Sequence, residues 1–192
     1  LRITYLPTIS KKIQNARRIF NIAMAKLDYK GEYFYAYCTK SNHFSYVLAE
    51  ALKNNVGLET SSAFDINIIE KLYDQGLLPK DRFIICNGFK RKEYIENICR
   101  LVNTGFENVI PVIDNKNELF EYRFKKNAKV KLGIRIAAEE EPTFEFYTSR
   151  LGIRYNDIVP YYRLYLKNHP NFELKMLHFF INTGIRDNAY YW

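Results

Sequence analysis

Phe34-Tyr35-Ala36-Tyr37-Cys38-Thr39-Lys40-Ser41-Asn42 is the stretch on which the reading of the fold turns. The aromatic and β-branched run from Phe34 to Thr39 has the composition of a buried strand. Lys40 closes it just before Ser41-Asn42-His43, so an ammonium stands at the mouth of whatever sheet the strand joins. A helical pattern from Tyr46 to Lys53 follows, and then a second short apolar strand, Val56-Gly57-Leu58, ends in Glu59 with Thr60-Ser61-Ser62 behind it. Two successive strands thus each deliver a charged group at the carboxyl end.

The alternation extends outward on both sides. Towards the N-terminus, Arg2 to Leu6 reads as a short strand, Pro7 breaks it, and Ser10 is a candidate N-cap for an amphipathic helix with Ile13, Ala16, Ile19 and Phe20 on its apolar face. Towards the C-terminus, Ser62 is placed to cap a helix carrying Phe64, Ile66, Ile69 and Leu72, which Gly76 and Pro79 end. A strand from Phe83 to Cys86, closed by Asn87-Gly88, leads to a helix through Tyr94, Ile95, Ile98 and Leu101 that stops at Gly105. Val109 to Ile113 is the next strand and ends in Asp114; a helical stretch from Glu118 to about Phe124 leads to the strand Val130 to Ile136, with Arg135 near its end. The connection from Ala137 to Ser149, with Glu139-Glu140-Glu141 and Pro142, is the longest and reads as a solvated loop placed to lie over a site. A helix near Asp157 to Lys167 precedes the last strand, Leu174 to Phe180, which runs into Asn182-Thr183-Gly184.

Seven strands separated by helices are the pattern of parallel βαβ units rather than of a β-sandwich. Such a chain lies open and doubly wound or closes as a (β/α)8 barrel, which normally needs about 250 residues. With 192 residues the strand count stops one short of closure, so an incomplete barrel is expected. In both architectures the carboxyl ends of the strands carry the site, and Lys40, Glu59, Asn87, Asp114, Arg135 and Thr183 all fall there.

Composition excludes several classes. A hydrophobic content of 47% with 16% aromatic residues supports a sizeable core. No apolar run approaches the roughly 20 residues that cross a bilayer, so no membrane partner is expected. Cys38, Cys86 and Cys99 show neither CxxC nor ligand-like spacing, and their odd number argues against a disulfide framework and for a reducing cytoplasm. His43, His169 and His178 are too scattered for a zinc site, and no metal is expected. The net charge of +8 is read as a solvated basic surface, with Phe89 to Lys92 and Lys125-Lys126 as its patches. No nucleic-acid-binding signature accompanies it, so no nucleic-acid partner is expected.

Six motifs carry a family resemblance. They are Tyr37-Cys38-Thr39-Lys40-Ser41-Asn42, Gly57 to Ser62, Ile85-Cys86-Asn87-Gly88-Phe89-Lys90, Leu132-Gly133-Ile134-Arg135-Ile136-Ala137, Ser149 to Ile153, and Leu177 to Ile185. In this order they resemble the pyridoxal-phosphate decarboxylases of the alanine-racemase-like barrel type, above all the biosynthetic arginine decarboxylases. The resemblance implies a role for each matching position. Lys40 corresponds to the lysine that holds pyridoxal phosphate covalently, a task that needs a primary amine able to lose its proton. Glu59 and Arg135 would lie near the cofactor ring and the amine, and Thr183 stands where a hydroxyl binds the phosphate. Asn182 replaces a family glycine there, and Phe180 replaces the histidine that stacks on the ring. A phenylalanine stacks but carries neither a hydrogen bond nor a charge. His178 matches the first histidine of the same motif and, as a strand residue, is read as core.

The resemblance also implies parts with no counterpart before Trp192: an eighth strand with a glycine-rich phosphate loop, the acid that pairs with the pyridine nitrogen, and a C-terminal β-domain. Together with Leu1 at the start instead of methionine, this gives the expectation that residues 1–192 are the N-terminal barrel portion of a longer protein, a homodimer when complete. The expected reaction is decarboxylation of a basic amino acid, arginine to agmatine foremost. The alternatives are an ornithine, lysine or diaminopimelate decarboxylase, a racemase, or a non-catalytic homologue that binds another protein.

Overall fold

The computed structural model describes residues 3–137 and 151–179. Along them run α1 (Pro7–Lys26), β1 (Ala36–Cys38), α2 (Ser45–Leu52), β2 (Gly57–Thr60), α3 (Ala63–Asp74), β3 (Ile84–Cys86), α4 (Lys92–Asn103) and β4 (Val109–Ile113). A 3-10 turn (Glu118–Glu121), β5 (Val130–Arg135), α5 (Tyr155–Tyr161) with a π-helical turn (Tyr162–Leu166), and β6 (Phe172–His178) complete them. The strands form one six-stranded sheet in chain order. Every neighbouring pair is parallel, as short apolar strands joined by helices require.

Register sorts the side chains onto two faces. Leu58, Ile84 and Val109 lie side by side across β2, β3 and β4. With Leu132 and Ile134 they share one core with Ile66, Ile69 and Leu72 of α3 and Ile95, Ile98 and Leu101 of α4. Fully burying an isoleucine or leucine of this set is worth about 1.5–3 kcal/mol. The alternate residues, Cys38, Glu59, Ile85 and Ile110 in one lateral row, face the other way. The sheet curls towards that second face. Neighbouring strands lie about 4.8 Å apart, so β2 and β6, four steps apart, would be about 19 Å from each other in a flat sheet. Instead the His178 imidazole of β6 comes within 3.9 Å of the Glu59 carboxylate of β2. The architecture is an incomplete (β/α)8 barrel, six strands being present among the described residues.

Local chemistry sets several boundaries. Ser62 caps α3: its Oγ accepts from the Asp65 amide at 3.4 Å while the Asp65 carboxylate accepts from the Ser61 amide at 2.8 Å. Gly57 starts β2 because a Cβ there would lie 2.7 Å from the Phe34 ring and 2.8 Å from the Phe83 carbonyl. Gly152 takes φ +99 and packs on the Ala137 backbone, which lets Ile153 bridge to Ile136 beside the end of β5.

The expected N-terminal strand does not form. Ile3 and Tyr5 are 82% and 72% exposed, and the Thr8 and Ile9 amides donate to the Tyr5 and Leu6 carbonyls, winding the chain straight into α1. Pro7 initiates that helix, since its missing N–H falls in the first turn where no partner exists. Ser10 is therefore inside the helix and no cap; its hydroxyl donates to the Glu50 carboxylate of α2 at 2.6 Å. The stretch after Asp114 forms a 3-10 turn that ends at Glu121, short of Phe124. Phe180, Asn182 and Thr183 lie outside the described residues, as does the expected loop from Ala137 to Ser149 apart from its first residue, Ala137.

Candidate functional site

The carboxyl ends of the six strands line one edge of the curl. At β1 the chain reverses in a tight turn, the Ser41 amide donating to the Cys38 carbonyl at 3.2 Å and the Ser41 hydroxyl to the same oxygen at 2.8 Å. Lys40 is the third residue of that turn, so its side chain leaves the sheet end into solvent, where it is exposed. Thr39 is fully buried and donates through both its amide and its hydroxyl to the Glu59 carbonyl, at 2.9 and 3.0 Å. The turn that carries Lys40 is thereby fastened to the backbone of Glu59.

The Glu59 carboxylate accepts from Asn87 Nδ2 at 3.1 Å and faces His178 Nε2. Burial alone would raise its pKa, but the nearby His178 imidazole, the hydrogen bond from Asn87 and the Arg135 charge outweigh burial and hold it below the usual carboxylate range. Arg135, at the end of β5, pairs with Asp114 at 3.5 Å, and the aspartate side chain is 2% exposed. There burial wins: the Asp114 carboxyl is raised despite the nearby Arg135, Lys90 and His178. Of the positions expected from sequence, Lys40, Glu59 and Arg135 stand at the carboxyl ends of β1, β2 and β5, and Asn87 and Asp114 at those of β3 and β4.

Two features were not visible in the sequence. His178, read as core, is a partner of Glu59, and its register opposite Arg135 places both at the rim. Lys90, read as part of a solvated basic patch, is instead buried: its ammonium pairs with Glu118 at 3.0 Å, both side chains being at most 2% exposed. A lysine inside Phe89-Lys90-Arg91-Lys92 carries no local mark that separates it from its exposed neighbours.

His178 Nδ1 and Asn87 Oδ1 are buried and have no hydrogen-bond partner among the described residues. Buried polar atoms are normally paired, so both are free for a ligand at this rim. An exposed primary amine, a carboxylate, a guanidinium and two polar atoms without a partner among the described residues, all at the carboxyl ends of the strands, suit a small ligand with an aldehyde, ring heteroatoms and acidic groups. Pyridoxal phosphate fits that donor set. Among the described residues no group of three or more His, Cys, Asp or Glu is placed to hold a metal, and no helix is long and apolar enough to cross a membrane.

No protein-family model matches the chain. Among curated proteins it is 24% identical over 195 residues to a biosynthetic arginine decarboxylase of Geobacter sp., covering 95% of this chain and 30% of the relative. It is 26% identical over 208 residues to biosynthetic arginine decarboxylase 2 of Synechocystis sp., covering 98% and 31%. Among solved structures, the biosynthetic arginine decarboxylase of Campylobacter jejuni superposes with a TM-score of 0.69 at 24% identity over 91% of this chain and 28% of that one. Diaminopimelate decarboxylase from M. jannaschi superposes with a TM-score of 0.68 at 18% identity over 95% and 42%. The chain thus spans about 30% of the length of the curated relatives it matches. In sequence and in fold it resembles the pyridoxal-phosphate-dependent decarboxylases of the alanine-racemase-like barrel type.

Proposed function

We propose that residues 1–192 are the N-terminal, cofactor-binding barrel portion of a pyridoxal-phosphate-dependent decarboxylase of a basic amino acid, arginine to agmatine foremost. The observation that supports this reading is the position of Lys40, Glu59 and Arg135 at the carboxyl ends of β1, β2 and β5 of one curled parallel sheet, with polar atoms of Asn87 and His178 that have no partner among the described residues at the same edge.

When bound, pyridoxal phosphate supplies an aldehyde that condenses with amines and a ring that accepts the electron pair left when a carboxylate departs as carbon dioxide. This chain's residues hold and orient. Lys40 offers its amine from a turn tied to Glu59. Glu59 keeps its negative charge because Asn87 donates to it and the His178 imidazole and Arg135 lie nearby, and it can take a hydrogen bond or a proton at Oε1 or Oε2. Arg135 presents a fixed guanidinium, one arm of which Asp114 occupies. Thr183 and Asn182 are proposed at the phosphate and Phe180 against the ring face, as in the sequence resemblance. The substrate is a free amino acid, the complete protein a homodimer, and its compartment the cytoplasm.

Incubating the longest natural form of the protein with pyridoxal phosphate and arginine should release carbon dioxide and form agmatine in equal amounts. Release from ornithine, lysine or diaminopimelate instead would move the substrate assignment. Racemisation without carbon dioxide would replace decarboxylation by another reaction at the same lysine.

A second reading has its own observation. Phe180 stands where the stacking histidine is expected and Asn182 where a glycine is. Both changes suit a non-catalytic homologue that acts by binding another protein, and a folded protein inert towards all four amino acids would favour it.

A further inference from the structure

Lys90 lies in the connection between β3 and α4, and its side chain is completely buried. An ammonium has three protons to place, and a buried one without partners is strongly disfavoured. All three are met: Nζ donates to the Gly88 carbonyl at 2.9 Å, to the Val112 carbonyl at 2.6 Å, and lies 3.0 Å from Glu118 Oε1. Glu118 is equally committed. Its Oε1 also accepts from the Tyr122 hydroxyl at 2.7 Å, and its Oε2 accepts from the Asp114 amide at 3.0 Å.

The acceptors belong to the two arms of the rim. Gly88 follows Asn87, which donates to Glu59; it takes φ +82, so that turn is of a kind few other residues adopt. Val112 lies in the last pleat of β4 and Asp114 follows its end, and Asp114 holds Arg135. One buried cation therefore grips the backbone of the Glu59–Asn87 arm with one hydrogen bond and that of the Asp114–Arg135 arm with another. Its counter-ion holds the second arm again, at the amide of Asp114 itself.

We propose that Lys90, with Glu118, is a positioning pair that sets the spacing between the Glu59–Asn87 arm and the Asp114–Arg135 arm of the rim. The proposal rests on the functional reading above for what the rim binds, and on the geometry alone for the positioning. Neither residue reaches the inner face, and both act through Asn87 and Asp114.

The test replaces the pair by apolar residues of similar size, Lys90→Met with Glu118→Leu, in the longest natural form of the protein. An Ile69→Val variant serves as a control for a general loss of packing far from the rim. Two readouts are taken. Without ligand, amide hydrogen exchange at Asn87, whose acceptor is the untouched Thr60 carbonyl, should quicken at least tenfold in the double variant while Ile98 in α4 keeps its rate; unchanged exchange at Asn87 would overturn the proposal whatever the cofactor does. With pyridoxal phosphate, the dissociation constant read from the bound-cofactor absorbance should rise at least tenfold in the double variant and less than threefold in the control; equal values would also overturn it. If the wild-type protein binds no pyridoxal phosphate, the functional reading fails and the exchange result alone decides the positioning claim. Should the double variant not fold, Glu118→Gln, which keeps the volume and removes the charge, is measured by the same criteria.

Discussion

His178 Nε2 lies 3.9 Å from Glu59 Oε2 although their strands, β6 and β2, are separated by three others. This contact reports two things at once: the sheet is curled, and its curled face is polar at the carboxyl rim. It also bears on why Glu59, half-buried, stays a carboxylate: the energy lost by leaving water is offset by the His178 imidazole, the hydrogen bond from Asn87 and the Arg135 charge.

A pH dependence follows from that balance. Because the Glu59 pKa is lower in the folded chain than in the unfolded one, its contribution to stability is present above the unfolded value near 4.5 and is lost as pH falls through the folded value. Glu59→Gln should therefore destabilise the protein relative to wild type at pH 7, and the gap should close as pH falls below about 4. Urea denaturation midpoints between pH 7 and pH 3 measure it; a gap that stays constant over the range would contradict the pairing.

The Lys90–Glu118 pair makes a separate prediction about stability. Removing one partner of a buried ion pair leaves the other uncompensated, at a cost of about 3–5 kcal/mol, whereas replacing both by apolar side chains is often near neutral. Lys90→Met alone should be the less stable protein and the added Glu118→Leu should recover most of the loss, as chemical denaturation of both variants would show. A double variant less stable than the single one would mean that the hydrogen bonds Glu118 accepts from Tyr122 and the Asp114 amide, not the charges, dominate.

Cysteine reactivity should follow burial. Cys86 is fully buried beside Thr60 and Tyr94, and burial pushes its thiol up to about 11. Cys38 is also raised, by burial and by the Glu59 charge, but it is only half-buried. Iodoacetamide at pH 8.5 should therefore label Cys38 slowly and leave Cys86 untouched until denaturant is added, which peptide mass mapping resolves. Labelling of Cys86 in the native protein would contradict the burial described.

The residues that made the fold legible are those whose neighbours lie close in sequence. Leu58, Ile84 and Val109 sit in short apolar runs bounded by turn residues, and Ser62 announces α3 from three residues away. The rim was legible for a related reason: a polar group that ends an apolar strand falls at the carboxyl edge by construction, which located Lys40, Glu59, Asn87, Asp114 and Arg135. What stayed hidden depends on long-range partners. Ile3 and Tyr5 have the alternation of a strand but no strand to pair with, and Ser10 resembles a cap because its partner, Glu50, is 40 residues away. Lys90 and His178 take their roles from Glu118 and Glu59, and no local pattern marks either pairing.

The measurement that bears most directly on the proposed cofactor site is borohydride reduction of the longest natural form of the protein in the presence of pyridoxal phosphate, followed by peptide mass mapping. A pyridoxyl adduct on the peptide that carries Lys40, abolished by Lys40→Ala in a protein that remains folded, is the expected result. A folded protein with no adduct on Lys40, or with label spread over Lys53, Lys92 and other exposed lysines in equal measure, would contradict it.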